Sequence, residues 1–418
     1  MIFHVDVNSA FLSWEAVRRI AAGQDDLRRI PSAIGGDRDK RTAVILAKSI
    51  PAKARGVKTG EPVSMALRKC PELVLAKPDF RLYERGSRAF MDICRRYAPV
   101  VEKFSIDECF LDMTGTRLLY PDPVEAAAAI KNEIRDTLGF TVNVGVAPNK
   151  LLAKMASDFE KPDRVHTLFA GEIADKLWPL PVGDLFSVGR ATAEKLEKSQ
   201  IRTIGDLAHA EPQRLQRLVG AKLGAQLRRF ANGIDHSPVL SERESAKGYG
   251  NSVTLEEDIV TLNAADLVLL ELCDSTASRL RADGSYCTGV SVTIRFRDFK
   301  TRSHQRKLAE PTDVTHEIIQ TARQLIRELW DGHTPLRLLG VTLMDVTRDG
   351  AAQLSLFPMK ERARQQKVDR TVDALRGRFG ADAIVRGASL RSNLRVGKKF
   401  KAQHELNRQN GGPHGGDR

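Results

Sequence analysis

Short apolar runs alternate with helical periodicities over the first 150 residues. Strand-like runs lie at 2–7, 100–106, 108–113 and 141–147. Between them, apolar residues recur at i, i+3, i+4 and i+7 or on one helical face, which predicts amphipathic helices. The two sets are Phe90, Ile93, Cys94 and Tyr97, and Ala127, Ile130, Ile134 and Leu138. The order of strands and helices predicts a split βαβ unit, in which the first and second strands are parallel and the third lies antiparallel between them.

Three acidic side chains interrupt these strand runs. Asp6 closes the first run, and Asp107 and Glu108 lie side by side between the second and third. In this topology the end of strand one and the hairpin after strand two share one sheet edge, so the three carboxylates are expected to converge. Ionised neighbours in apolar surroundings require a cation. Two Mg²⁺ ions roughly 4 Å apart would suit the site and would support phosphoryl transfer. Taken singly, Asp107 and Glu108 are better explained as solvated turn residues and Asp6 as a strand-end cap, whereas the joint placement of all three at one edge favours the metal site.

A strict alternation near residue 290 predicts another sheet with two different faces. The apolar set is Val290, Val292, Ile294 and Phe296, and the polar set is Ser291, Thr293, Arg295 and Arg297. Period two places one set in a core and the other on a hydroxyl and guanidinium surface. Arg302, Arg306 and Lys307 are expected to extend that surface along the next strand. It suits a duplex backbone contacted without reading sequence; an ordinary solvated face is the alternative.

Composition narrows the class of protein. The chain has 418 residues, 42% of them hydrophobic, which predicts two to four domains with real cores. A formal net charge of +13 favours a polyanionic partner, although an anionic membrane surface would also fit. The sequence lacks a run of transmembrane length, a signal-peptide pattern and a Walker-type loop, so a cytoplasmic protein that is not an ATP-driven motor is expected. The five cysteines are predicted to be reduced packing residues.

Three segments together resemble the signatures of Y-family translesion DNA polymerases, with the bacterial DNA polymerase IV (DinB) branch the most similar. They are 6–11, 105–112 and 149–162, and the resemblance runs in order from Met1 to about Leu390. It implies a multidomain α+β fold with a ferredoxin-like (βαββαβ) palm, small fingers, a helical helix-hairpin-helix thumb and an α+β little finger domain. The implied segments are palm 1–20 and 78–165, fingers 21–77, thumb 166–234, linker 235–247, little finger 248–348, clamp-binding segment 349–360, helical extension 361–390 and a basic, disordered tail 391–418.

The resemblance also assigns catalytic residues. It implies that Asp6, Asp107 and Glu108 are the metal ligands, together with the backbone carbonyl of Val7. It implies that Phe11 is a steric gate, whose ring leaves no room for a ribose 2′-hydroxyl. Without the motif, Phe11 is better explained as a core residue at the start of the helix that runs to Ile20.

Two lysines are expected at the nucleotide triphosphate. By the resemblance, Lys161 places an ammonium on the incoming phosphates. Family members commonly carry a tyrosine and, three residues on, an arginine where this chain has Ile50 and Lys53. The point charge of a lysine there replaces the bidentate guanidinium of an arginine, so only Lys53 is retained as a predicted triphosphate contact. The family's second acid of the first signature is replaced by Asn8, as in the polymerase V branch.

Two further segments resemble docking motifs. Residues 185–196 resemble a helix-hairpin-helix in which Val188 and Gly189 offer backbone amides to a DNA phosphate, with Ser187 at a place that is often glycine. A weaker copy lies at 218–222, and plain helical packing around a glycine turn is the alternative. The segment 353–357 resembles the pentapeptide that docks on the bacterial sliding clamp; the alternative is an apolar anchor on the chain's own surface. Its predicted contact residues are Gln353, Leu354, Leu356 and Phe357.

These features together predict a template-directed DNA polymerase of the translesion type, with low fidelity and no proofreading. The expected cofactor is Mg²⁺, two ions per active site, with Mn²⁺ as the alternative. The expected partners are primer-template DNA, deoxynucleoside triphosphates and the bacterial sliding clamp, without a membrane, and the protein is expected to be a monomer. A polymerase V-like subunit that needs accessory proteins, a non-catalytic DNA-binding and clamp-binding scaffold, and a nucleotide cyclase remain as alternatives.

Overall fold

The protein, described by a computed structural model, forms two compact units. The larger unit consists of 1–38 and 43–243, and the smaller of 39–42 and 244–418. The structure describes residues 1–37, 41–241, 245–348, 359–380 and 383–387. Within these ranges every helix is too short or too polar to cross a membrane. The predicted clamp-binding residues and the tail 391–418 lie outside the described residues.

The described residues of the larger unit form eight strands and ten α-helices. In chain order they are β1 Ile2–Val7, α1 Ala10–Ala21, β2 Ser32–Gly35, β3 Ile45–Lys48, α2 Ile50–Ala54, α3 Val63–Lys69, β4 Val74–Ala76, α4 Phe80–Tyr97, β5 Val100–Lys103, β6 Glu108–Asp112, α5 Pro123–Leu138, β7 Val142–Ala147, α6 Lys150–Ser157, β8 Val165–Thr167, α7 Arg190–Lys198, α8 Ile204–His209, α9 Pro212–Val219 and α10 Ala221–Ala231. Short 3₁₀ or π turns at Ala170–Glu172, Ile173–Leu177 and Val182–Asp184 connect β8 to α7.

The predicted split βαβ unit is confirmed. The five-stranded sheet has the order β5-β6-β1-β7-β8, and β6 pairs antiparallel with both β5 and β1. The first and second strands are therefore parallel, with the third between them. The second strand ends at Lys103 and not at 106, because the amides of Phe104 and Ser105 both donate to the carbonyl of Glu108 and close the hairpin turn.

Helices cover both faces of this sheet. The predicted apolar stripes of α4 and α5 are buried with Val5 and Val144 in one core. On the other face α6 lies directly on β7, where a Cβ at Gly145 would come 1.9 Å from the carbonyl oxygen of Ala153. Only glycine permits so close an approach, so the absence of a side chain at Gly145 sets the distance between α6 and β7. All five cysteines are free and buried, as predicted.

The predicted fingers form a small sheet of their own. Its order is β3-β2-β4, and it packs with α2 and α3 around Ala33, Ile45, Val57 and Val63. Sequence periodicity did not predict these short strands.

The predicted thumb is helical, from α7 to α10. The weaker hairpin copy predicted at 218–222 has its turn at Gly220, which lies between α9 and α10 and has φ +90°. The first residues of the predicted linker are tied to the palm: the Asp235 carboxylate accepts the Leu151 amide at 3.2 Å, and Lys150 Nζ donates to the carbonyl of Pro238 at 3.3 Å.

The smaller unit is one antiparallel sheet under helices. Its elements are β9 Gly248–Ile259, α11 Leu262–Ala282, β10 Tyr286–Phe296, β11 Thr301–Thr312, α12 Thr315–Leu329, β12 Leu336–Thr347 and α13 Met359–Phe379. The strand order is β11-β10-β12-β9. One sheet face packs with α11 and α12 around Val290, Val292 and Ile294, each 0% exposed, which confirms the predicted core face.

Candidate active site

The pairing of β1 with β6 places two of the predicted metal ligands opposite one another. Asp6 is in register with Glu108, and the Val7 amide donates to the carbonyl of Asp107 at 3.0 Å. Alternation along β1 sends Val5 and Val7 into the core and turns His4 and Asp6 toward α6. The three acids are thereby brought to one edge of the sheet, as the topology predicted.

Two lysines supply the positive charge at this edge. Lys154 Nζ lies 3.1 Å from Glu108 Oε2, and Lys161 Nζ lies 2.9 Å from Asp6 Oδ1 and 2.8 Å from Asp158 Oδ1. Burial raises the pKa of Asp6 to about 7 against the opposing charge of Lys161. For Glu108, burial is outweighed by the adjacent His4 ring and by the charge and hydrogen bond of Lys154, so its pKa falls to about 2. Glu108 is therefore ionised at neutral pH by its own neighbours, whereas the buried Asp6 needs a further nearby cation to be held fully ionised.

Asp107 is at the edge, but its side chain turns to the hairpin. Its Oδ1 accepts a hydrogen bond from Ser105 Oγ at 2.6 Å. Across the described ranges, His, Cys, Asp and Glu side chains nowhere gather in a group of three or more that could hold a metal ion. The donors present are carboxylate oxygens and the Val7 carbonyl, which suit a hard divalent cation. The pronounced burial of Asp6, with only 12% of its side chain exposed, fits a site that is completed by such a charge.

A polar network behind the carboxylates was missed from sequence. Asn143 is 0% exposed, and its amide nitrogen donates to the carbonyls of Ser157 and Glu160 at 3.1 and 2.7 Å. Its oxygen accepts from Asn8 at 3.1 Å, and Asn8 in turn accepts the amide of Asp163 at 3.0 Å. The network fixes the loop that carries Lys161. One signal was available, since Asn143 is the single polar residue in the apolar run of β7.

His4 is the second residue that sequence reasoning missed. It is 0% exposed, with Nδ1 2.8 Å from Ser157 Oγ and Nε2 3.6 Å from Glu108 Oε2. Burial lowers the pKa of this imidazole. His4 therefore fills the space between β1, β6 and α6 and backs the Glu108 carboxylate as a neutral ring.

Phe11, the predicted steric gate, is half-buried on α1 and packs against aromatic side chains of α4. Its ring stacks on Tyr83 with centroids 4.4 Å apart and planes 9° apart, and Phe80 lies edge-on at 6.2 Å. Tyr83 itself is 0% exposed. The ring of Phe11 is thus held in a fixed orientation by packing from α4.

The predicted triphosphate lysine of the fingers, Lys53, is exposed on α2. The helix is anchored by Ser49, whose hydroxyl accepts the amides of Ala52 and Ser32, each at 3.1 Å, and donates to the carbonyl of Ile30 at 2.8 Å. Ile50, at the place of the family's tyrosine, is 62% exposed. A rigid base therefore presents Lys53 and an apolar side chain to solvent.

The thumb hairpin corrects one predicted contact. Val188 is buried and its amide already donates to the carbonyl of Leu185 at 2.9 Å, so it is not available to a phosphate. Ser187 adopts φ +77°, the left-handed conformation that glycine often supplies at this place. Gly189 is exposed and caps α7, whose first amides precede the intrahelical bonds. An amide contact at this hairpin would come from the start of α7.

The basic sheet face also needs a correction. Arg295 lies on the outer face, bonded to Thr301 Oγ1 at 2.9 Å, and Arg297 is 80% exposed. Arg302, however, is paired with the buried Ile294 and lies 5.3 Å over the Phe296 ring, while Arg306 is paired with Val290. Directly opposite residues share a face, so Arg302 and Arg306 lie on the helix-covered side and do not extend the surface of Arg295.

Comparison with known proteins gives the family. The impB/mucB/samB family model matches residues 5–158, the model of its C-terminal domain matches 246–356, and a DNA polymerase-iota thumb domain model matches 183–235. A DNA polymerase IV of Clostridium acetobutylicum is 44% identical over 391 residues, covering 93% of this chain and 98% of the relative. The chain belongs to the DNA polymerase IV branch of the Y family. This family assignment, made from the sequence motifs, is confirmed.

Other relatives agree with this assignment. DNA polymerase IV 1 of Bacillus subtilis is 38% identical over 394 residues, covering 94% of this chain and 93% of the relative. Among solved structures, a Y-family DNA polymerase chimera built on Dbh superimposes with a TM-score of 0.72 at 24% identity, and DinB from Sulfolobus solfataricus with 0.54 at 23%. Each covers 82% of this chain and 98% of its own. The structural likeness confirms the multidomain α+β fold.

Proposed function

We propose that this chain is a template-directed DNA polymerase of the translesion type that adds deoxynucleotides to a primer 3′-hydroxyl past damaged template bases. Its place in the DNA polymerase IV branch supports the activity. The register of Asp6 opposite Glu108 on β1 and β6 is the observation that supports the site. Low fidelity without proofreading belongs to the proposal, because the fingers are a three-stranded sheet with two short helices and have little mass to enclose a base pair.

The reaction depends on divalent metal ions, for which we propose Mg²⁺, with Mn²⁺ as the alternative. Asp6, Asp107, Glu108 and the Val7 carbonyl would hold them. When bound, such ions lower the pKa of the attacking hydroxyl and neutralise charge on the phosphates. The chain's own part is to hold the oxygen donors at one edge before substrate arrives, so that little reorganisation is needed.

Lys161 is the side chain we assign to the triphosphate. Its ammonium is fixed between Asp6 and Asp158, and 35% of the side chain is exposed. A charge held in this way can meet phosphate oxygens without first ordering a flexible side chain. Lys53 is proposed as a second, more exposed phosphate contact, and Phe11 as the gate against ribonucleotides.

Several contacts complete the proposal. Gly189, at the start of α7, Arg295 on the outer face and the exposed Arg297 just after β10 are assigned to the duplex backbone. Segment 353–357 is assigned to the bacterial sliding clamp, and the protein is proposed to act as a cytoplasmic monomer. If the double variant Leu356→Ala with Phe357→Ala binds the clamp as tightly as wild type, the clamp assignment is wrong.

Primer extension tests the catalytic assignment. Wild type and Asp107→Ala are compared on undamaged and abasic templates with Mg²⁺ and all four deoxynucleotides. Asp112→Ala is the matched control, because Asp112 is an acid at the far end of β6, the strand that follows Asp107, and lies opposite Ile2. We expect template-dependent extension that Asp107→Ala abolishes and Asp112→Ala retains. Extension by Asp107→Ala at the wild-type rate would refute the site, and a wild type that binds DNA without extending it would favour the scaffold or a missing accessory protein.

A further inference from the structure

Three exposed cations of α13 lie on one side of the helix, and two largely buried acids lie on the opposite side. Arg364, Lys367 and Arg378 are exposed, whereas Asp369 and Asp373 have 11% and 21% of their side chains exposed. At 3.6 residues per turn the three cations fall within an arc of about 60°, and the two acids lie on the opposite side. We call Arg364, Lys367 and Arg378 the basic stripe.

Buried ion pairs fix the rotation of α13 on the smaller unit. Arg281 of α11, 5% exposed, lies 2.6 Å from Asp373 and 3.5 Å from Asp369, and Asp369 also accepts the Thr315 amide at 2.8 Å. Arg376 lies 2.6 Å from Asp274 of α11. These contacts pair both acids of the central turns and Arg376 of the last turn with partners on the smaller unit, so the basic stripe faces solvent.

The basic stripe differs from an ordinary solvated helix face. Exposed helices usually mix signs at i, i+4, as Arg190 with Glu194 does in α7. Within the described residues, carboxylates are absent from the 4 Å surroundings of the three stripe cations. Like charges three residues apart, such as Arg364 and Lys367, disfavour the helix slightly. A polyanionic ligand bound along the basic stripe would offset that repulsion.

We propose that α13 binds the phosphate backbone of nucleic acid through the basic stripe, as a contact separate from the outer sheet face. Arg364 and Arg378 are fourteen residues apart, which is about 21 Å along the helix axis. At about 3.4 Å of duplex rise per nucleotide on one strand, that length faces roughly six phosphates. Because α13 is docked on α11 and the start of α12, while Arg295 lies on the face of the sheet that these helices leave uncovered, the two surfaces contact different stretches of nucleic acid.

Salt-dependent DNA binding by the full chain tests this contact. The stripe variant carries Arg364→Gln, Lys367→Gln and Arg378→Gln. A control variant carries Arg95→Gln, Arg96→Gln and Arg135→Gln, three exposed arginines of α4 and α5, and removes the same net charge. A second control, Arg364→Lys with Arg378→Lys, keeps the charge. Anisotropy of a labelled duplex from 50 to 200 mM KCl gives the slope of log K against log salt for each protein.

Each lost phosphate contact flattens that slope by about 0.9. If all three cations contact phosphate, the stripe variant's slope is smaller by about 2.7, and wild type loses about 40-fold more affinity than the variant across this salt range. We expect both controls to keep nearly the wild-type slope. If the stripe variant matches the charge control in slope and affinity, the proposal is wrong. The basic stripe would then be a binding surface for an acidic protein or an anionic membrane. Primer extension at saturating DNA should be unchanged, which separates this test from that of the catalytic site.

Discussion

Gly145→Ala should displace α6, the helix that carries Lys154, and so disturb the active site. The added methyl would lie 1.9 Å from the carbonyl oxygen of Ala153 and 2.6 Å from the amide nitrogen of Ser157. Both atoms belong to the backbone of α6, so neither can swing aside as a side chain would. Ordinary contact distances of about 3.5 Å would be restored only if α6 moved away from β7 by roughly 1.5 Å.

The size of the effect follows from that displacement. Overpacking a core commonly costs about 1–3 kcal/mol, and a clash with rigid backbone belongs at the upper end, near 3 kcal/mol. The same movement carries Lys154 away from Glu108, which it now meets at 3.1 Å, and loosens the loop of Lys161. Because a misplacement of about 1 Å can lower a rate roughly 100-fold, we expect kcat/KM for nucleotide addition to fall by about that factor.

The matched control is Gly171→Ala, where an added methyl would meet no described atom within 4 Å. Urea unfolding is followed by tryptophan fluorescence in a Trp330→Phe background, so that Trp14 and Trp178 report on the larger unit alone. We expect the control to stay within about 1 kcal/mol of its parent. If Gly145→Ala unfolds at the same urea concentration as Gly171→Ala and extends primers equally well, the close packing of α6 on β7 does not position this site.

Three further substitutions probe separate parts of the chain. Phe11→Ala should permit ribonucleotide incorporation, and unchanged discrimination in single-nucleotide insertion would remove the gate role. Asn143→Leu deletes the amide that holds the carbonyls of Ser157 and Glu160, and at about 1 kcal/mol for each of the two hydrogen bonds it should raise KM for nucleotides by roughly 30-fold; an unaltered KM would show that the loop is held by other contacts. Arg281→Met leaves Asp369 and Asp373 without their buried partner, so the smaller unit should lose about 3 kcal/mol and amide exchange across α13 should rise, whereas unchanged protection of α13 would contradict its docking by ion pairs.

The hydrophobic pattern was sufficient to predict the topology of the palm, because the palm's strands and helices bury continuous apolar faces. The four strand runs and the stripes of α4 and α5 specify the topology, and the topology alone brings Asp6 opposite Glu108. The fingers strands are only three or four residues long and share a small core, so no period could be established for them. Asn143 and His4 were missed for another reason: their partners are backbone carbonyls and a serine that become neighbours only after α6 has packed.

The outer strand of the smaller unit shows where alternation fails as a predictor of function. Arg302 and Arg306 share the basic character of Arg295, but the face on which they lie depends on the register of β11 with β10, and that pairing sets them opposite Ile294 and Val290. A shift of one residue would reverse the assignment. Charge composition therefore predicted a basic strand correctly, while the face had to come from the structure.

The docking of α13 extends the same argument to helices. A helix that packs through an apolar stripe reveals its buried face in the sequence, but the buried face of α13 is defined by Asp369, Asp373 and Arg376. Read alone, those charges are indistinguishable from Arg364 and Lys367 on the other side. The buried partners Arg281 and Asp274 decide which charges are neutralised inside, and by doing so they also decide which remain to meet a ligand. In this helix the packing and the proposed binding surface are therefore two consequences of one arrangement of charge.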